Sequence, residues 1–201
     1  MVSAFGVIAI VAVSVQVVIL VALHALPTGY HPVRDAISDY GVGRYRGYFW
    51  AQLVAGALAC AFVAFALADL HPYAPTVVVA LLLANTVARL LMPAFSTDQS
   101  GNRFGSAKGT VHMLLAFVAF GAVAAAATGL GGLFTHYPAW HGAKGLLVVL
   151  GWVVLTGAVA TALALLGPRL KRVFGLIERL FTLSVIVWLC VISIEVVRFA
   201  K

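Results

Sequence analysis

The chain has too few charged residues for a water-soluble protein. Only 9% of its 201 residues are charged, whereas 63% are hydrophobic and the mean hydropathy is +1.08. Soluble domains average about 25% charged residues. The composition therefore excludes a fold whose surface faces water.

Charge is scarcest in six long apolar runs. Each run is roughly 19–25 residues long, the length that a helix needs to cross a hydrocarbon core about 30 Å thick. In lipid every backbone N–H and C=O must be bonded internally, so such runs are helical. The sequence predicts an all-α polytopic membrane protein, a six-helix bundle with residues 1–201 as a single membrane domain. The runs lie at about 2–26, 50–70, 75–93, 109–133, 145–167 and 175–199.

The first run lacks the features of a signal peptide, and the chain has only two cysteines. The first run has no basic segment before it and no clear A-x-A site after it, so we expect a membrane helix rather than a cleaved signal peptide. The two cysteines, Cys60 and Cys190, both fall inside runs. We expect them to be small packing residues.

The excess of positive charge indicates orientation rather than nucleic-acid binding. The net charge is +7, but the basic residues are divided among short loops and form no surface that follows phosphates. The terminal side clearly has only Lys144 and Lys201. The positive-inside rule then places the opposite side in the cytoplasm and both termini outside. The basic residues of that opposite side are Arg34, Arg44, Arg46, Arg103, Lys108, Arg169, Lys171 and Arg172.

Small residues recur every fourth position in three of the runs. This spacing lets helix backbones approach closely. We expect the three stripes to face the bundle interior; the alternative is a seam of a homo-oligomer. The stripes are Gly56, Cys60 and Ala64; Gly121, Ala125 and Gly129; and Thr156, Ala160 and Ala164.

Polar groups collect at the basic side of the predicted bundle, in the first and third loops and at the adjoining helix ends. Polar groups in spans usually face the bundle interior. We therefore expect a site beneath the two loops, although each residue has a structural alternative; Arg89, for example, could extend its side chain to the headgroups. The candidates are Ser38, Asp39, Asn85, Arg89, Asp98, Lys108, His112, Glu178 and Arg179.

Three segments carry a resemblance to a known family. They are residues 37–41 (Ile-Ser-Asp-Tyr-Gly), residues 95–98 (Phe-Ser-Thr-Asp) with His112, and residues 175–181 (Gly-Leu-Ile-Glu-Arg-Leu-Phe) with Trp188. Together they resemble the bacterial six-span DUF998 family, whose function is unknown. The resemblance implies a six-helix protein of a bacterial inner membrane. The first segment and His112 are also similar to the eukaryotic Frag/DRAM/Sfk family, which favours a role with lipids.

The leading hypothesis is binding or modification of a membrane lipid or other amphiphile. Arg89, Arg179 and Lys108 would bind a phosphate, since interfacial cations attract anionic headgroups. Asn85 and Asp98 belong to the same ligand-binding set.

In an enzyme, His112 would be the general base because its pKa lies nearest neutrality. Asp39 or Glu178 would orient it, and Ser38 would be the nucleophile. Neither Gly-x-Ser-x-Gly nor His-Glu-x-x-His occurs, so the sequence leaves open whether there is a reaction.

Two other functions and two cofactors stay open. Asn85, Arg89, His112 and Glu178 would line the path of a small-solute or proton-coupled transporter, although no span is interrupted by Gly-Pro. In a non-catalytic scaffold the polar groups would only fix the loops. Zinc held by Asp39, Asp98 and His112, or haem held by His24 and His112, are weaker alternatives, and the cofactor stays unknown.

Overall fold

The computed structural model describes residues 1–70, 75–98, 103–130, 140–167 and 169–199, and within these ranges it contains helices and no strands. Six helices are long and apolar enough to cross a membrane, which confirms the predicted all-α six-span fold. They are α1 (Val2–Ala25), α2 (Arg46–Asp69), α3 (Thr76–Leu91, with a 3₁₀ turn that extends the span to Ala94), α4 (Ala107–Thr128), α5 (His141–Leu166) and α6 (Phe174–Phe199). The prediction of a single membrane domain stays a prediction.

Helix boundaries differ from the apolar runs by a few residues. Helix α2 begins at Arg46 rather than at residue 50, and the Arg46 guanidinium lies 5.3 Å from the centre of the Trp50 ring. Hydropathy marks only the hydrocarbon part of a span, whereas backbone hydrogen bonding continues into the headgroup region. Helix α3 ends at Leu91, where Pro93 follows in a short 3₁₀ turn (Met92–Ala94). Proline has no N–H to continue the helix.

The six helices pack in chain order around a ring. Each helix contacts the next, and α6 returns to contact α1. Helix α2 also contacts α6 across the ring. Most of its apolar side chains are buried, so α2 lies toward the middle of the bundle. The 3₁₀ helix Ile37–Gly41, in the loop between α1 and α2, packs against α2 and α6 at one end of the ring.

The small-residue stripes differ in how deeply they are buried. The α2 stripe is buried, as predicted. The three residues of the α4 stripe are exposed, and two of them, Gly121 and Ala125, line the cavity described below. A four-residue spacing shows which residues share a helix face but not how closely that face is packed. The exposed α4 residues are Gly121, Ala125 and Gly129.

Candidate functional site

The first loop is fixed to the start of α6 by backbone contacts. The Leu176 N–H donates to the Val33 carbonyl oxygen (3.0 Å), and the Ile37 N–H donates to Glu178 Oε2 (2.7 Å). A Cβ atom on Gly175 would collide with the Asp35 carbonyl oxygen, so glycine permits this approach. The loop therefore lies directly on α6, and Glu178 is buried beneath it.

Arg179 joins α1, the first loop and α6. Its Nε donates to His24 Nε2 (2.7 Å), its Nη1 to the Asp35 carbonyl oxygen (2.7 Å) and its Nη2 to the Tyr40 hydroxyl (3.2 Å). His24 Nδ1 faces the Leu20 carbonyl oxygen at 2.7 Å. Since a carbonyl only accepts, Nδ1 carries the proton and Nε2 is free to accept from Arg179. Arg179 thus organises the loop and is not one of the cavity-lining residues described below.

Asp39 is a buried carboxylate with two partners. Its Oδ2 accepts from the Ala36 N–H (2.8 Å), and both of its oxygens lie 3.3–3.4 Å from the Arg103 guanidinium. Arg103 also donates to Ser38 Oγ at 3.4 Å, and its guanidinium lies 4.9 Å from the centre of the Phe174 ring. An arginine counted from sequence as an orientation charge is therefore part of the site.

Asp98 stabilises the start of α4. Its oxygens accept from the Ser106 N–H (2.8 Å) and the Ser106 hydroxyl (2.7 Å), and Ser106 Oγ in turn accepts from the Gly109 N–H (3.0 Å). These bonds, the side-chain one first, hold the pKa of the Asp98 carboxyl below its usual value. Asp98 therefore acts in a helix cap. Lys108, on the next turn, is exposed.

His112 is buried on α4 and contacts the third loop. Its Nδ1 lies 2.9 Å from the Phe95 carbonyl oxygen, so Nδ1 carries the proton and Nε2 is the acceptor of the neutral ring. The sequence predicted orientation by Asp39 or Glu178. The carbonyl of Phe95 takes that position instead, because Asp39 is held by Arg103 and Glu178 by the first loop.

A cavity of about 440 Å³ lies inside the ring beneath the two loops. At the loop end its wall includes Ser38, Arg103, His112 and Glu178. Farther along, its wall is mostly apolar and is formed by α4, α5 and α6, with Phe120, Leu155 and Phe181 among its residues. One end of the cavity is thus polar and the other is hydrocarbon-like.

Four polar residues form a second group on the wall of the cavity, here called the inner cluster: Gln16, Gln52, Asn85 and Arg89. Gln16 lies roughly 13 Å along α1 from its end at Ala25. Gln16 Nε2 donates to Gln52 Oε1 (3.4 Å), and Asn85 Nδ2 donates to the Ala119 carbonyl oxygen (2.7 Å). The Oε1 of Gln16 and the Oδ1 of Asn85 are buried without a hydrogen-bond partner.

Arg89 points into the bundle and not to the headgroups. A Cβ atom on Gly56 of α2 would lie 2.5 Å from Arg89 Nη2 and 2.8 Å from Gln16 Oε1, so glycine makes room for the guanidinium. Arg89 Nε has no hydrogen-bond partner, and neither ion pair among the described residues includes Arg89. An unpaired charge away from water costs on the order of several kcal/mol.

The sequence model of one protein family, described as "Protein of unknown function (DUF998)", matches residues 10–195. The chain belongs to the DUF998 family. No curated protein and no solved structure matches it significantly.

The three segments that resemble DUF998 meet at this site. Residues 37–41 lie on residues 175–179 through Glu178 and Arg179. His112, which donates to Phe95 within the remaining segment, lines the same cavity as Ile37 and Glu178. The segments are far apart in sequence, yet each holds one side of the loop end of the cavity.

In this DUF998 protein the predicted site residues fall into three groups. Lining the cavity are Ser38, Asn85, Arg89, His112 and Glu178. Asp39 and Arg179 hold the first loop, while Asp98 and Lys108 lie at the start of α4, outside the cavity wall. Sequence reasoning did not select Gln16, Gln52 or Arg103, although a glutamine in the middle of an apolar span is itself a signal.

The donors proposed for zinc do not meet. Among the described residues no group of three His, Cys, Asp or Glu side chains is placed to hold a metal ion. Asp39, Asp98 and His112 are instead bonded to Arg103, Ser106 and Phe95 respectively. The site therefore does not fit zinc through these ligands.

Proposed function

We propose that this DUF998 protein binds a membrane amphiphile, with its polar head in the loop end of the cavity and its apolar part between α4, α5 and α6. The observation that carries the proposal is the division of one cavity into a polar end and an apolar wall. Its volume lies within the range of about 300–1,000 Å³ typical of small-molecule sites.

Exposed residues of α4 and α5 on the cavity wall support entry from the lipid. Phe117 and Val159 line the cavity and are 41% and 50% exposed. Gly121 and Ala125 likewise line the cavity and are exposed. A Cβ atom on Gly121 would meet nothing within 4 Å. These accessible wall residues support a route for a lipid tail into the cavity between α4 and α5.

The contacts of Ser38 and His112 favour binding over catalysis. A nucleophile and its base are expected within hydrogen-bond reach. Here Ser38 Oγ accepts a hydrogen bond from Arg103, and His112 Nδ1 donates to the Phe95 carbonyl oxygen. Both side chains contribute polar atoms to the cavity wall, which is sufficient for headgroup recognition.

For the orientation we propose a bacterial inner membrane with the loop end of the cavity at its cytoplasmic face. Arg103 serves the site, but the other basic residues of that side are all exposed, and these charges support a cytoplasmic position. They are Arg34, Arg44, Arg46, Lys108, Arg169, Lys171 and Arg172.

The experiment is native mass spectrometry of the detergent-purified chain with a matched pair of variants on α5. Ala162 lines the cavity and Ala160 does not, and both are half-buried. We expect the wild type and Ala160→Trp to retain an amphiphile of defined mass and Ala162→Trp to lose it. Equal retention in both variants would contradict a ligand in this cavity.

A further inference from the structure

We infer that Arg89 and the inner cluster select the headgroup of the amphiphile: one that carries a single negative charge and, beside it, a hydroxyl that donates a hydrogen bond. This inference rests on the proposed function and names the class of ligand for the same cavity.

The negative charge follows from the charge balance of the site. At the loop end, two carboxylates (Asp39 and Glu178) stand beside two guanidinium groups (Arg103 and Arg179). Asp39 pairs with Arg103, and Glu178 interacts electrostatically with both arginines. The remaining charged residue of the described cavity wall is Arg89, which has no counter-charge within ion-pair distance. A negative charge on the ligand would supply the counter-charge that Arg89 lacks.

The hydroxyl follows from the unpaired acceptors. Asn85 Oδ1 and Gln16 Oε1 are on residues 1% exposed, and neither oxygen has a donor. The Asn85 amide donates to the Ala119 carbonyl oxygen, which fixes its oxygen as the acceptor. A carboxylate or a phosphodiester alone has no proton for these oxygens. A hydroxyl on the same headgroup supplies one, whereas an ammonium group would be repelled by Arg89.

A substitution at Gly56 tests the role of Arg89 without changing Arg89 itself. A Cβ atom there would press on the Arg89 guanidinium and on Gln16 Oε1. Gly56→Ala therefore displaces the cation without removing it. Gly47→Ala is the matched control, because Gly47 is on the same helix and a Cβ atom there meets nothing within 4 Å.

The test measures the affinity of the full chain in neutral detergent for four probes. Phosphatidylglycerol has an anion and hydroxyls, oleate has an anion alone, and monoolein has hydroxyls alone. Glycerophosphoglycerol carries the first headgroup without its tails. We expect wild type to bind phosphatidylglycerol most tightly, then oleate, then monoolein, and glycerophosphoglycerol more weakly than the intact lipid.

The variants separate the two parts of the headgroup. We expect Arg89→Met to weaken phosphatidylglycerol and oleate binding by roughly 10- to 100-fold, the usual range for loss of a charged hydrogen bond, and to leave monoolein unchanged. We expect Gly56→Ala also to weaken the binding of phosphatidylglycerol and oleate, but by a smaller factor than Arg89→Met does. Gln16→Leu narrows the preference for phosphatidylglycerol over oleate, a ratio that a general loss of stability would not change.

Three results would overturn the inference. The first leaves the proposed function intact, and the other two overturn it as well. Equal wild-type affinity for anionic and neutral amphiphiles, unchanged by Arg89→Met, removes the anion site but keeps the proposed function. Glycerophosphoglycerol binding as tightly as the lipid makes the ligand a free solute and overturns both. Absence of binding by all four probes also overturns both.

Discussion

The backbone N–H of Ile37 donates a 2.7 Å hydrogen bond to Glu178 Oε2, which joins residues 141 positions apart in the chain. This bond fixes the first loop on α6 and places a carboxylate at the loop end of the cavity. Because both groups are buried, their loss is not compensated by water.

Substitutions at Glu178 separate its hydrogen bond from its charge. Glu178→Ala leaves the Ile37 N–H without an acceptor and is expected to lower the free energy of unfolding by about 1.5–3 kcal/mol. Glu178→Gln keeps an oxygen acceptor and is expected to cost less. Thermal unfolding in detergent and hydrogen exchange of residues 33–41 measure both. Unchanged exchange in Glu178→Ala would show that the bond does not hold the loop.

The buried pair of Asp39 and Arg103 is expected to matter far more than the exposed pair of Glu195 and Arg198. Removing one member of a buried pair leaves an uncompensated charge and costs about 3–5 kcal/mol. The Arg198 side chain is 71% exposed, and such pairs contribute about 0–1 kcal/mol. Thermal unfolding of Arg103→Ala and Arg198→Ala makes the comparison. A similar loss of stability in the two variants would contradict a strong interaction between Asp39 and Arg103.

The cap at the start of α4 predicts a dependence on pH. Hydrogen bonds from Ser106 hold the folded-state pKa of Asp98 below its usual value, near 3.9 in an unfolded chain. The stabilisation is therefore complete above the unfolded-state pKa and is lost as the pH falls through the folded-state pKa. We expect the difference in melting temperature between wild type and Asp98→Asn to be constant near neutral pH and to close below about pH 4. A difference that does not shrink as the pH falls below about 4 would assign the effect to something other than this charge.

Removal of the Arg89 charge is expected to stabilise the ligand-free protein. The guanidinium has no counter-charge within ion-pair distance among the described residues, so Arg89→Met removes an uncompensated cost and fills similar space. A higher melting temperature for delipidated Arg89→Met than for delipidated wild type is the expected result. A large decrease would contradict this expectation and would mean that Arg89 has a structural role.

Sequence was sufficient for the six helices because a span needs only length and apolar side chains. It also predicted that Arg89, His112 and Glu178 share one end of the bundle, since each lies near the same membrane face. It could not show which side chains touch. The apolar residues of these helices run around the whole circumference, so no periodic stripe fixes each helix's rotation.

The missed contacts depend on that rotation. Gln16 meets Gln52 only because α1 and α2 turn these faces toward each other. Arg179 turns toward His24 and the first loop, while its neighbour Glu178 turns to the cavity. Fold was thus predictable from composition, whereas the partners within the site were not.

Photo-crosslinking with a phosphatidylglycerol that has a diazirine in its acyl chain tests the central claim most directly, because it reports where a lipid tail lies. We predict adducts on buried residues of the cavity wall, such as Ala124 and Phe181, in excess of those on the outer face at Val18 and Val149. Ala162→Trp should abolish that excess and Ala160→Trp should preserve it. Adducts confined to the outer face in wild type would contradict a lipid inside the bundle.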